Sequence, residues 1–136
     1  VIRKLSHVSI FVLDQDRALT FYTQKLGFEI RTDSKMGDFR WLTVGPKNQP
    51  EIEIILLPPT PGPMLDATTA KQLKELIAKG AICPGVFETD DVRADYEEMK
   101  KRGVVFKSPP TERHYGIEAV FQDDSGNWFS LTQRKK

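Results

Sequence analysis

Gln122-Asp123-Asp124-Ser125-Gly126-Asn127-Trp128-Phe129-Ser130-Leu131-Thr132 is the stretch from which the fold is read. Asp123, Ser125, Gly126 and Asn127 form a dense turn signal between two runs of β-formers, Ile117–Gln122 and Trp128–Thr132, so the segment predicts a hairpin. Its second strand alternates, with Trp128, Ser130 and Thr132 on one face and Phe129 and Leu131 on the other. Near the start of the chain, His7, Ser9 and Phe11 alternate in the same way with Val8, Ile10 and Val12. Strands of this type predict a sheet that packs helices on one face and with the other lines a cavity that is not simply core.

Working outward, Leu5–Leu13 reads as the first strand, and Asp14 caps a helix with Ala18, Leu19, Tyr22 and Leu26 on its apolar stripe and Gly27 at its stop. Phe28–Thr32, Asp38–Gly45 and Glu51–Leu57 read as three further strands. The proline-rich run 58–63 is a linker, followed by a helix over about Thr68–Lys79 whose stripe is Leu73, Leu76 and Ile77. The pattern then recurs. Gly85–Thr89 is a strand, Asp90 and Asp91 open a helix that stops at Gly103, Val104–Lys107 is a strand broken by Pro109 and Pro110, and the hairpin completes the set. Placing Gly27 on Gly103 puts Asp14 on Asp90. Each half reads strand–helix–strand–strand–strand, and such repetition is a strong architectural signal.

The 136 residues are expected to form one domain, with module one at 1–57, linker and helix at 58–82 and module two at 83–136. A hydrophobic fraction of 39%, a charged fraction of 29% and a net charge of +1, with both signs interspersed, carry no nucleic-acid or membrane-surface footprint. No apolar run reaches transmembrane length and no signal-peptide pattern is present, while the single cysteine, Cys83, suits a reducing compartment; the expected location is cytoplasmic. Phosphate loops, nucleophile elbows, HExxH pairs and paired cysteines are all missing from the sequence.

Four pieces together resemble the vicinal oxygen chelate superfamily of glyoxalase I, bleomycin-resistance proteins and extradiol dioxygenases. They are Leu5–Val12, Phe21–Glu29, Phe87–Val92 and Asp123–Leu131, in the family's order. The resemblance implies an α+β fold of two βαβββ modules that pair curled mixed sheets around a shared cavity, and often a homodimer. Fold alone leaves function open, since one scaffold hosts lyases, isomerases, dioxygenases and binding proteins.

In metal-dependent members the resemblance implies two ligands per module, suited to Zn, Ni, Fe or Mn. His7 and Glu53 match the first pair, and together could also form an acid–base dyad. The third position falls on Pro84 when counted along the strand and on Cys83 when counted from the helix-end glycines. Proline cannot ligate, and a lone cysteine is more often a buried small hydrophobe. The fourth position, two residues after Trp128, is Ser130, a poor ligand. His114 offers a replacement nitrogen, although an exposed loop histidine is the plainer reading. The metal set is thus partial, His7 and Glu53, and is expected to be empty.

The lining expected for a small hydrophobic or aromatic ligand comprises His7, Phe11, Phe39, Trp41, Glu53, His114, Trp128 and Ser130. The functional expectation is a metal-independent binding protein with no cofactor. Its alternative is a glyoxalase-type lyase or isomerase, or a dioxygenase, with a rebuilt metal site holding a divalent ion.

Overall fold

A computed structural model describes all 136 residues. The chain comprises two compact units, Val1–Glu75 and Leu76–Lys136, and both are built to one plan. Unit one contains β1 (His7–Phe11), α1 (Gln15–Thr20, continued by a π-helical turn over Phe21–Lys25), β2 (Glu29–Met36), β3 (Phe39–Gly45) and β4 (Glu53–Leu57). After α2 (Ala67–Ala78), unit two contains β5 (Gly85–Glu88), α3 (Val92–Lys101), β6 (Val105–Arg113), β7 (Gly116–Gln122) and β8 (Trp128–Arg134). The sheets run β1-β4-β3-β2 and β5-β8-β7-β6. In each, the first and last strands of the unit pair parallel and the other neighbours pair antiparallel. This is the expected α+β arrangement of two βαβββ modules, with each four-stranded sheet open. No helix is long and apolar enough to cross a membrane.

The alternation read from the sequence decides which face packs on the helix. Ile10, Val12, Leu42, Val44, Ile54 and Leu56 are buried with Ala18, Phe21 and Tyr22 of the first helix. In unit two, Ala119, Phe121, Phe129 and Leu131 are buried with Val92 and Met99 of α3. Phe87 and Phe129 meet in a tilted pair at 4.8 Å between ring centres, and Tyr96 meets Phe106 edge-on at 4.6 Å. Aromatic pairs of this kind add roughly 0.5–1.5 kcal/mol beyond their buried area.

The hairpin turn is held by Asp123. Its Oδ1 accepts from the backbone N–H groups of Ser125, Gly126 and Asn127 at 2.9–3.0 Å. Its Oδ2 accepts from Asn127 Nδ2 at 2.9 Å, so one carboxylate satisfies four donors. Gly126 has φ +116°, and a Cβ there would lie 2.3 Å from the Ile77 carbonyl oxygen.

Several expectations are corrected. The helix caps are Asp14 and Asp91, which accept from Arg17 N–H and Ala94 N–H, so Asp14 corresponds to Asp91 and not to Asp90. Gly27 lies 13 positions past its cap and Gly103 only 12. The extra residue resides in the π turn, where Leu26 N–H reaches back five residues to the Phe21 carbonyl. Pro109 and Pro110 do not break their strand. β6 runs through them because it is an edge strand and its register shifts between Ser108 and Thr111, so neither missing N–H interrupts the ladder. On α2 the buried stripe is Ala70 and Ile77 with half-buried Leu73 between them; Leu76 is 37% exposed. Cys83 is exposed and not the buried thiol expected, because it sits in the chain entering β5 and not within the strand.

Candidate functional site

In unit one, β1 and β4 place His7 directly beside Glu53 in parallel register. His7 Nε2 lies 3.1 Å from Glu53 Oε2. The other carboxylate oxygen accepts from Thr43 Oγ1 on β3 at 2.7 Å, and His7 Nδ1 meets Ser6 Oγ at 2.9 Å. Trp41 flanks the imidazole at 6.1 Å between ring centres, and Phe39 follows at 6.3 Å from Trp41. Three strands thus deliver an imidazole, a carboxylate, a hydroxyl and two aromatic rings to one sheet face. Phe11 lies on the same face of β1, two residues from Ser9, and is half-buried.

Unit two carries the same plan with different chemistry. Val86 pairs with Ser130 as Ser9 pairs with Ile55. Val12 N–H donates to the Leu57 carbonyl as Thr89 N–H donates to the Thr132 carbonyl. With Asp14 equivalent to Asp91, position 84 answers to His7, which settles the third position on Pro84 over Cys83. By the same register Trp128 is the counterpart in unit two of Glu53, and Ser130 the counterpart of Ile55. Ser130 is therefore one pleat removed from the carboxylate position that the motif spacing gave it.

The carboxylate of unit two comes instead from β7. Glu118 accepts from Ser130 Oγ at 2.5 Å and from Tyr115 Oη at 2.7 Å, and Arg113 Nε lies 3.9 Å away. Hydrogen bonding by Ser130, then by Tyr115, and the Arg113 charge hold its pKa below the usual glutamate range against the opposing effect of burial. Thr132 Oγ1 joins Ser130 Oγ at 2.7 Å. Lys107 Nζ stands 5.9 Å from the Trp128 ring. His114 is exposed in the turn between β6 and β7, edge-on to Tyr115 at 5.0 Å.

Sequence reasoning placed Thr43 on the right face without a role and overlooked Glu118. The available signal was a lone acid within Ile117-Glu118-Ala119-Val120-Phe121, at a position where alternation turns it away from buried Ala119 and Phe121.

A family-type metal centre needs about four protein ligands or three with water. Nowhere in the chain do three His, Cys, Asp or Glu side chains gather. His7 and Glu53 are already joined to each other, and Pro84 and Trp128 stand at the corresponding places in unit two. The residues present do not fit the group.

Paired βαβββ units with polar open faces define a scaffold of the vicinal oxygen chelate class. The chain belongs to the Glyoxalase/Bleomycin resistance protein/Dioxygenase superfamily, whose pattern it matches over residues 4–131. It is similar to UcmS2, whose crystal structure is 52% identical with a TM-score of 0.91 over 97% of this chain and 98% of that one. TnmS3, an antibiotic binding protein from Streptomyces sp. CB03234, is 28% identical with a TM-score of 0.77 and covers 98% of both chains. The uncharacterized protein YurT of Bacillus subtilis (strain 168) is 39% identical over 96% of this chain and 99% of its own length.

Proposed function

We propose that this protein is a metal-independent binder of a small hydrophobic or aromatic molecule, taken up against the polar faces of its sheets. The observation that carries this reading is the His7–Glu53 contact at 3.1 Å, in which the two family-type ligands are spent on one another beside Trp41 and Phe39. A planar aromatic ring resting on such side chains gains apolar burial and stacking, while the imidazole–carboxylate pair supplies orienting hydrogen bonds. Similarity to TnmS3, an antibiotic binding protein, supports the same reading. His7, Glu53, Phe11, Phe39 and Trp41 are the contact residues proposed in unit one, and Trp128 and Ser130 those in unit two. A homodimer belongs to this reading through the family resemblance.

Protein purified without chelators is expected to contain far less than one equivalent of Zn, Ni, Fe or Mn by elemental analysis. Calorimetric titration with Zn or Ni is expected to show only weak uptake, because two donors leave an ion mostly to water. One equivalent of transition metal retained through purification overturns the proposal and favours the alternative, a lyase, isomerase or dioxygenase using His7 and Glu53 as ligands. Sedimentation as a monomer at high micromolar concentration overturns the dimer.

A further inference from the structure

Glu118 is a carboxylate to which Ser130 and Tyr115 both point their protons. Ser130 has one O–H, and it goes to Glu118. The Ser130–Thr132 contact at 2.7 Å must then be a donation from Thr132. Tyr115 gives its own proton to the other oxygen. Ser130 and Thr132 are 5% and 6% exposed and the Glu118 side chain is 20% exposed, so this part of the network is shielded from water, while Tyr115, 41% exposed, stands at its open edge. The one cation near it, Arg113, is 48% exposed and stands at 3.9 Å, beyond hydrogen-bond reach.

An ionised carboxylate accepts at about four sites, of which Ser130 and Tyr115 fill two. What remains can only accept, so a ligand meeting Glu118 must donate, and a positive charge on the donor strengthens the contact. The platform beside it is apolar, with the Lys107 ammonium 5.9 Å from the Trp128 ring at its far end. Val86, beside Ser130 on β5, is 67% exposed, and Trp128 stands on the same face of β8 one pleat from Ser130, about 7 Å along the strand. The two strand steps from Ser130 to Trp128 span about 7 Å, so a flat molecule of about that length or more covers Ser130 and reaches Trp128.

We propose that this face of unit two is a subsite for a planar apolar molecule bearing a protonated or strongly donating nitrogen, with Glu118 as the anchor and Trp128 and Val86 as the platform. The site rests on the small-molecule reading above and adds the class of ligand. Binding displaces the loosely held Arg113 from Glu118 and leaves the hydroxyl chain in place.

Two planar tricyclic probes test it on the full chain: 9-aminoacridine, a cation, and acridone, which is neutral. Affinities come from calorimetry, and quenching of Trp128 in a Trp41→Phe background reports location. The cation is expected to bind at least tenfold more tightly than acridone and to quench Trp128. Glu118→Gln should erase that gap while holding acridone within twofold, and Arg113→Gln, at an exposed residue, should widen it. Acridone binding with no preference for the cation overturns this inference and leaves the small-molecule reading standing. A preference that survives Glu118→Gln, or one that Arg113→Gln fails to widen, overturns it too. Binding of neither probe overturns both.

Discussion

Trp128 stands in unit two where Glu53 stands in unit one, and Glu118 stands where Trp41 does. The second equivalence follows from the pairing of Thr43 with Ile55 and of Val120 with Ser130, each two residues beyond the exchanged position. Both open faces therefore keep one carboxylate and one indole, on exchanged strands. A ligand group that needs an acid beside an aromatic ring finds the pair on either sheet.

Coupling between Ser130 and Glu118 should be measurable. Ser130→Ala leaves a shielded carboxylate short of its first donor, at a cost of about 1–3 kcal/mol. Glu118→Gln and the double variant complete a cycle by urea unfolding, and a coupling of about 1 kcal/mol or more is expected. A cycle that closes to zero shows that the two side chains act independently.

Acid should reveal the same residue. Glu118 has its folded pKa shifted below the ordinary value, first by Ser130 and then by Tyr115. A depressed carboxylate adds stability above its unfolded pKa of about 4.3, and that contribution is lost as pH falls through the folded value. The stability difference between the wild-type protein and Glu118→Gln should thus be full at pH 6 and shrink steadily below about pH 4. A difference that does not change with pH refutes the assignment.

Asp123→Ala should be among the most damaging polar substitutions in the chain. It strands three backbone amides and the Asn127 side chain in a turn where Asp123, Ser125 and Asn127 are buried. A loss of about 3 kcal/mol or more is expected from urea unfolding, with Asp123→Asn recovering part of it. A loss below about 1 kcal/mol would mean that the amides find other partners.

Gly126→Ala should cost about 2–4 kcal/mol, combining a left-handed backbone with a Cβ against the Ile77 carbonyl. The Gly62→Ala control, where added Cβ meets nothing within 4 Å, should stay within about 0.5 kcal/mol. Thermal melts of the two variants provide the comparison, and equal melting temperatures would refute the close approach.

Much of the fold was legible because period-two alternation and helix caps are local signals. Ile10, Val12, Phe129 and Leu131 declare the helix-packed face from sequence alone, and Asp14 declares the start of its helix. The strand through Pro109 and Pro110 was not legible, since only its place at the sheet edge makes the prolines harmless. Nor was the π turn, which depends on how Phe21 and Tyr22 pack. Of the site, His7 and Glu53 were readable through the family resemblance, which marks one position on each of the two strands, and the β1–β4 register then juxtaposes them. Glu118 was not, because its partner Ser130 lies on the next strand and only the β7–β8 register brings them together.

Pro109 and Pro110 lack amide donors, and because successive amides of a strand point to opposite sides, one of the two gaps faces the outer edge of sheet two. A foreign strand arriving there meets a ladder with a missing rung. End-to-end stacking of chains through β6, the route by which open sheets grow into fibrils, is thereby obstructed. For this unit, strand addition by another chain is left with the short opposite edge, β5.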